Sequence, residues 1–293
     1  MGTTLPRMLD RRLLLVSGKG GVGKSAVTAA LSIVGARQGR RVLALAMTDR
    51  TGLASHLGVD DLPYEPTLIR PGLFGSAVDR SQALDEYLKL QLRVPRAMPT
   101  GQLSRALNLL VDTAPGVREI ISMGKPIYEV WKDEWDIVVT DAPSLGQLQS
   151  YLNAPATITS LVPAGAVQEQ AASLQATLAD PNISGLLMVT TAEELPVIET
   201  TEAITGLEAD PRIAIAGIAA NRVLSPLEAS PAALQGLPPS PLRDSALLHT
   251  GLHEAQERWL GRLPADPQLP FLFGLHTPAE VAAQLADEWE RSR

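Results

Sequence analysis

One stretch constrains this chain more than any other: Gly18, Lys19, Gly20, Gly21, Val22, Gly23, Lys24 and Ser25, a G-x-x-x-x-G-K-[ST] pattern. Before it runs Arg12-Leu13-Leu14-Leu15-Val16, an apolar run with the length of a buried strand. After it, Ala26-Val27-Thr28-Ala29-Ala30-Leu31-Ser32-Ile33-Val34 keeps an apolar stripe and reads as a helix. Strand, glycine loop and helix together turn the pattern into a mechanism. Glycines let the backbone curl until successive N–H groups point inward at phosphate oxygens. The helix start adds its partial positive charge. The spacing predicts that residues 18–25 and Ala26 cradle phosphates. Lys24 is then expected to reach the β- and γ-phosphates, and the Ser25 hydroxyl to meet Mg²⁺. The plain alternative is a glycine-rich turn with a chance Lys-Ser. Against it, the chain has only five lysines and two sit in this loop.

Lys19 is an extra, because a phosphate loop does not need a lysine directly after its first glycine. K-G-G-x-G-K-[ST] resembles the variant loop of the dimeric ATPases that include MinD, ParA, the nitrogenase iron protein and the arsenite-pump ATPase ArsA. The resemblance implies a lysine that crosses a dimer interface and touches the partner's nucleotide. Such a group works like an arginine finger in trans, an effect on the order of 10³-fold or more in rate. The bland reading is a solvated lysine.

The totals narrow the class. At 293 residues with 45% hydrophobic content, one α/β domain with a sizeable core can fill the chain. There is no cysteine, which removes disulfides, thiol catalysis, Cys-ligated zinc and iron–sulfur clusters. A nitrogenase-type iron protein and a thiol arsenite site are therefore excluded. Residues 1–10 carry no apolar run, so no signal peptide is expected. No stretch of about 18 apolar residues occurs, so no membrane span is expected either. The expected location is cytoplasmic. A net charge of −7 disfavours non-specific nucleic-acid binding.

Residues 41–49 read as a second buried strand ending in Asp49, at the ligand edge of a parallel sheet. Asp49 can also cap a following helix, and both roles are compatible. Met47-Thr48-Asp49-Arg50-Thr51 resembles the S-T-D-P-A switch of ArsA-like ATPases, with arginine in place of proline. By that resemblance Asp49 orients or deprotonates the attacking water. Residues 73–79 read as a strand leading into a helical insert at about 81–132, with apolar stripes at Leu84, Tyr87, Leu88 and Leu92, at residues 103–111 and at residues 117–121. Residues 114–125 resemble the P-G-x-x-E-x-x-x-x-G-K stretch of the same family. In its tail-anchored-protein-targeting branch the insert forms a methionine-rich groove. Here it holds only Met98 and Met123, so its stripes read as ordinary core.

Residues 136–141 read as a third buried strand ending in Asp141, and two acids so placed suit Mg²⁺ together with Ser25. Residues 142–146 fall where ArsA-like ATPases carry a second switch, D-x-A-P-T-G. Asp141 and Gly146 match it, whereas Leu145 replaces the threonine. Gly146 is expected to offer its N–H to a phosphate. A helix near 168–178 and a strand at 186–190 follow. Residues 190–200 then resemble the family's T-x-x-E-x-x-x-x-E-T element, although Glu193 and Glu199 can equally be helix-start charges. Residues 213–220 are apolar and end at Asn221-Arg222; in ArsA-like ATPases N-[KR] follows this strand and the asparagine pairs with the adenine edge, so the resemblance implies nucleotide contact here, and an asparagine turn is the alternative. The proline-rich residues 225–241 read as a loop, residues 244–260 as a helix, 270–275 as a last strand and 278–289 as an amphipathic closing helix. No internal repeat is evident.

The expected fold is α/β: a P-loop NTPase with a doubly wound, mostly parallel sheet and a helical insert, one ATPase domain over 1–293. The resemblance to the ArsA and tail-anchored-protein-targeting ATPases covers most of residues 12–223 and looks most like paired actinobacterial members. It implies an ATP hydrolase, weak alone in one version, using ATP and Mg²⁺. The expected assembly is a homodimer, or a heterodimer with a paralogous ATPase, that binds and releases a protein client. A regulatory, catalytically weak half of a heterodimer is the second reading, prompted by Arg50 and Leu145. A ParA/MinD-type positioning ATPase is the third, but the basic DNA face and membrane-seeking tail it needs are missing.

Overall fold

Strand β1 (Leu13–Gly18) lies inside an eight-stranded sheet, and its alternating side chains explain the layers on either side. The computed structural model describes residues 8–91, 116–161 and 164–291. Leu14 and Val16 join a core with helix α1 (Lys24–Arg37), whereas Leu13 and Leu15 join a second core on the opposite face. Successive strand side chains point to opposite faces, so a strand buried on both reads as one apolar run. β2 (Val42–Ala46) and β5 (Ile137–Asp141) split in the same way: Val42, Ala44, Ile137 and Val139 on the α1 side, Leu43, Leu45 and Val138 on the other.

The remaining strands are β3 (Thr67–Arg70), β4 (Leu73–Ala77), β6 (Ser184–Thr191), β7 (Ile215–Val223) and β8 (Gln268–Pro270). The order is β3-β4-β2-β5-β1-β6-β7-β8, parallel throughout except for the β3–β4 pair at the edge. From β1 the chain crosses over β5 to reach β2; from β5 it crosses β1 in the other direction to reach β6. Right-handed crossovers of opposite direction put their helices on opposite faces and leave a crevice at the strands' C-terminal ends. That crevice lies at β1, β5 and β6.

The helices after α1 are α2 (Arg50–Leu57), α3 (Arg80–Gln91), α4 (Val117–Trp131), α5 (Leu145–Leu161), α6 (Ala166–Ala179), α7 (Glu194–Ala209), α8 (Pro231–Gln235), α9 (Pro241–Leu260) and α10 (Pro278–Arg291). α10 packs on α1 with Trp289 1% exposed, and Arg37 bridges to Asp287 at 2.7 Å and Glu290 at 3.0 Å. α4, α5 and α6 cover the other face, where Met123 is buried core. Among the described residues no helix is long and apolar enough to cross a membrane.

Several expectations need correction. The last strand is Gln268–Pro270, not 270–275; Phe271, Phe273 and Leu275 project beyond the sheet, exposed. Residues 225–241 are not one loop, since α8 forms there and α9 starts at Pro241. Ser230 and Ser240 cap those two helices and proline opens each, a start signal that overall proline content hides. The antiparallel edge strand β3 and helix α5 were not expected. α3 and α4 fall in the expected insert, while residues 92–115, with Met98 and the stripe at 103–111, lie outside the described ones.

Candidate functional site

The loop is built from close approaches that only glycine tolerates. A Cβ on Gly18 would lie 2.1 Å from the Val189 carbonyl oxygen, a backbone atom of the paired strand β6. Gly23 has φ 92°, and a Cβ there would meet Asn221 Nδ2 at 2.4 Å. Gly21 also takes a positive φ, 86°. Helix α1 starts at Lys24 with no side-chain cap and no acidic residue in its first turn. Its leading N–H groups and positive dipole end therefore face the loop with no acidic side chain of the helix's own beside them.

Asp141 and Ser25 meet at the loop's end. Ser25 Oγ donates to Asp141 Oδ2 at 2.6 Å. β5 delivers Asp141 here because its register sets Asp141 beside Val16 of β1 and Ala46 of β2. Burial pushes the Asp141 carboxyl up to about 6, against the opposing pull of the Ser25 hydrogen bond and Lys24, and Asp49 adds to the rise. Lys24 Nζ donates to the Lys19 carbonyl at 3.3 Å. Burial lowers the Lys24 pKa, while the charges of Asp141 and Asp49 hold it up. Two carboxylates and one lysine thus share one field at the strand ends.

Asp49 is exposed and caps α2, accepting from Gly52 N at 2.8 Å. The cap and the electrostatic link to Lys24 and Asp141 coexist, as the two sequence readings allowed. Arg50, in the place of the switch proline, bridges to Asp61 at 2.8 Å. Gly146 lies exposed in the first turn of α5, whereas Leu145 is buried against the core. Ser17 Oγ donates to the Pro143 carbonyl at 2.5 Å, tying β1 to this second switch.

Asn221 is buried, and its Nδ2 donates to the Val22 carbonyl at 2.9 Å, while Arg222 N donates to its Oδ1 at 3.0 Å. Its amide therefore braces the loop. Arg222 itself is exposed, with φ 58°. Lys19 is ion-paired with Glu199 of α7. Spacing reasoning did not anticipate this pairing; the signal for it was the T-x-x-E-x-x-x-x-E-T element, which ends beside Glu199. Ser17 and Val189 carried no sequence signal, since the Ser17 hydroxyl meets the Pro143 carbonyl and the Val189 carbonyl crowds Gly18 only once distant segments are side by side. A cavity of about 270 Å³ opens between α5 and α7, bordered by Leu145, Gly146 and Glu199.

The donors suit a hard dication. A hydroxyl faces a carboxylate whose burial its neighbours do not offset, and Mg²⁺ takes oxygen ligands from one or two carboxylates plus substrate phosphates. Ser25 and Asp141 would hold it, and Asp49 is a further acid whose charge acts on both Lys24 and Asp141.

A family model described as anion-transporting ATPase matches residues 11–164, more than half of the chain. The chain belongs to that family. ATPase BagA of Mycobacterium tuberculosis is similar to it, 32% identical over 227 residues, which is 74% of this chain and 66% of that protein. A putative arsenical pump-driving ATPase of Halobacterium salinarum is 25% identical, over 73% of this chain and 36% of its own length. ATPase ASNA1 homolog 1 of Paramecium tetraurelia is 27% identical, over 52% of this chain and 47% of its own. The chain thus spans just under two thirds of the length of the mycobacterial relatives, and less of the others. The matched residues include the loop, Asp49, Asp141 and Gly146 of this anion-transporting ATPase family member. Glu199, Asn221 and Arg222 lie beyond them, and their placement rests on the geometry above.

Proposed function

We propose that this chain is a Mg²⁺-dependent ATP hydrolase that works as a nucleotide-driven dimeric switch for a protein client or membrane partner. The single observation that carries the reading is the 2.6 Å contact of Ser25 with Asp141 at the mouth of the glycine loop. It joins the residue type that meets Mg²⁺ in phosphate loops to a buried acid at a strand end. Bound Mg²⁺ supplies charge neutralisation for the β- and γ-phosphates. Lys24 turns from the Lys19 carbonyl to the phosphates, and the α1 N-terminus receives their charge. Asp49 orients or deprotonates the attacking water, a role supported by its charge acting on Lys24 and Asp141, and Gly146 offers an N–H from the second switch. Lys19 reaches a second subunit's nucleotide. The assembly, a homodimer or a pair with a paralogous ATPase, and a cytoplasmic setting are part of this proposal, with the family likeness in their support.

The test is calorimetric. Mg-ADP should bind the wild-type chain, and Lys24→Ala should lose most of that binding, because the cation proposed to meet the phosphates of the chain's own nucleotide is gone. Unchanged affinity in the variant ends the assignment. A regulatory role within a heterodimer has one observation in its favour: Leu145, buried where the family's switch carries threonine, offers no hydroxyl. A paralogue that raises a slow basal turnover would favour it.

A further inference from the structure

Lys19 and Glu199 lie 180 positions apart in sequence, yet their side chains form an ion pair across the mouth of the loop. The acid is held firmly. β6 pairs with β1 residue by residue, with Gly18 beside Val189, and α7 follows two residues after that strand. Pro196, Val197 and Thr200 bury the inner face of α7, and Thr200 Oγ1 donates to the Pro196 carbonyl at 2.7 Å. Glu199 therefore stands on an anchored turn with its carboxylate outward, and its side chain is 40% exposed. Leu195, one turn earlier on the same helix face, is 60% exposed.

The two lysines of the loop are thus placed differently. Lys24 rests on the loop's own carbonyl, within the fields of Asp49 and Asp141. Lys19 is partly buried and held by an acid from another element. A nucleotide carried by a second subunit would compete with Glu199 for that ammonium. Glu199 itself has a second approach, since it borders the cavity between α5 and α7.

We infer that Glu199 is a positioning residue for Lys19, holding its ammonium within its own chain until a facing nucleotide draws it away. The inference rests on the reading that Lys19 acts across a dimer. A pair this exposed is weak, holding its partners by a factor of about two to five. Glu199 therefore biases the lysine without locking it, and the added negative charge of a nucleotide opposite is enough to take it over. The exposed Leu195 beside the pair would be covered by the same second subunit.

The variant is Glu199→Gln, which keeps the shape and removes the charge. The first readout needs neither assembly nor turnover: the rate at which an amine-acylating reagent labels Lys19 in the ligand-free chain, followed by mass spectrometry. With five lysines in the sequence each site is separately readable. Lys125, whose side chain is fully buried, should stay unlabelled and so reports that the variant is folded. Lys19 should label about two to five times faster in the variant. An unchanged rate overturns the inference, whatever the oligomeric state. The second readout is ATP turnover against protein concentration. The variant should reach half its maximal specific activity at a two- to five-fold lower concentration, with the same maximum. A lower maximum, or a shift to higher concentration, overturns the holding role. If Lys19→Ala leaves turnover unchanged at every concentration, the across-dimer reading itself fails and the inference falls with it. That failure is distinguishable, because the faster labelling in Glu199→Gln would persist.

Discussion

Asn221 Nδ2 donates to the carbonyl of Val22 at 2.9 Å, so the end of β7 holds the glycine loop from below. Both residues are buried, and the same amide stands 2.4 Å from where a Cβ on Gly23 would lie. Asn221→Ala should leave the Val22 carbonyl without its partner, a cost of about 1–3 kcal/mol. The thermal midpoint should fall by several degrees, and ADP and GDP should lose affinity together. Calorimetry with both nucleotides checks this. If the ADP preference collapses while the midpoint holds, Asn221 reads the adenine edge and does not brace the loop.

This residue also marks how far the sequence could be read. The strand–loop–helix unit and the acids at 49 and 141 were legible because backbone chemistry ties them to nearby glycines and apolar runs. Asn221 was legible as a strand-end residue, but its partner was not, since contact across 199 positions depends on the order of β1, β6 and β7. The same holds for Lys19 with Glu199. Helix α5 is not legible in the sequence, because Pro155 lies inside it and an internal proline argues against a helix. The strand expected at 270–275 followed its aromatic and aliphatic content, which in the fold projects outward beyond a short β8.

Burial raises the Asp141 pKa to about 6 from an ordinary 3.8, so ionising it costs the ligand-free fold about 3 kcal/mol. The sign follows from linkage. An acid raised in the folded state weakens the fold fully above its folded pKa, and the penalty fades as pH falls toward the unfolded value. Between pH 7.5 and pH 4.5 this group alone should stabilise the wild-type chain on acidification. Asp141→Asn keeps an acceptor for Ser25 and removes the charge. The variant should melt several degrees higher than wild type at pH 7.5, and the gap should shrink near pH 4.5. Calorimetric melts at both pH values without nucleotide decide the matter. A variant that melts lower at pH 7.5 would show that the carboxylate is already well compensated.

Lys125 has a fully buried side chain, and its ammonium sits 2.9 Å from Glu129, 3.5 Å from Glu86 and 3.9 Å from the centroid of the Tyr64 ring. Glu129 also accepts from Lys132 at 2.9 Å and Trp135 Nε1 at 3.0 Å. The cluster ties α3 and α4 to the segments that lead into β3 and β5. Burial would raise the Glu129 pKa, but the hydrogen bonds from Lys125, Lys132 and Trp135 outweigh it and leave the pKa lowered. Its stability contribution is therefore present above the ordinary carboxylate pKa and lost as pH falls through the lowered value. Lys125→Met should cost about 3–5 kcal/mol, the penalty of stranding one member of a buried pair. The acid-unfolding midpoint should move to higher pH. Adding Glu129→Gln should restore part of the loss, so the two changes are non-additive. Additive losses in urea titrations would show that the two residues act independently.

Asp49 has two duties, and two substitutions separate them. As the cap of α2 it accepts from Gly52 N at 2.8 Å; as a charge it acts on Lys24 and Asp141 across the crevice. Asparagine caps a helix as well as aspartate, whereas alanine does not, at a cost of about 1 kcal/mol. Asp49→Asn should therefore leave the melting temperature unchanged and keep Mg-ADP binding. If the carboxylate orients or deprotonates the attacking water, turnover should fall by about 10²–10⁴ in the same variant. Asp49→Ala should lose turnover to the same degree and also melt a few degrees lower. The pair of variants thus yields a pattern that neither role alone produces: equal losses in rate with unequal losses in stability. If Asp49→Asn hydrolyses ATP at the wild-type rate while Asp49→Ala melts lower, the residue is a cap only, and the water-directing group must be sought among the other acids of the crevice, beginning with Asp141.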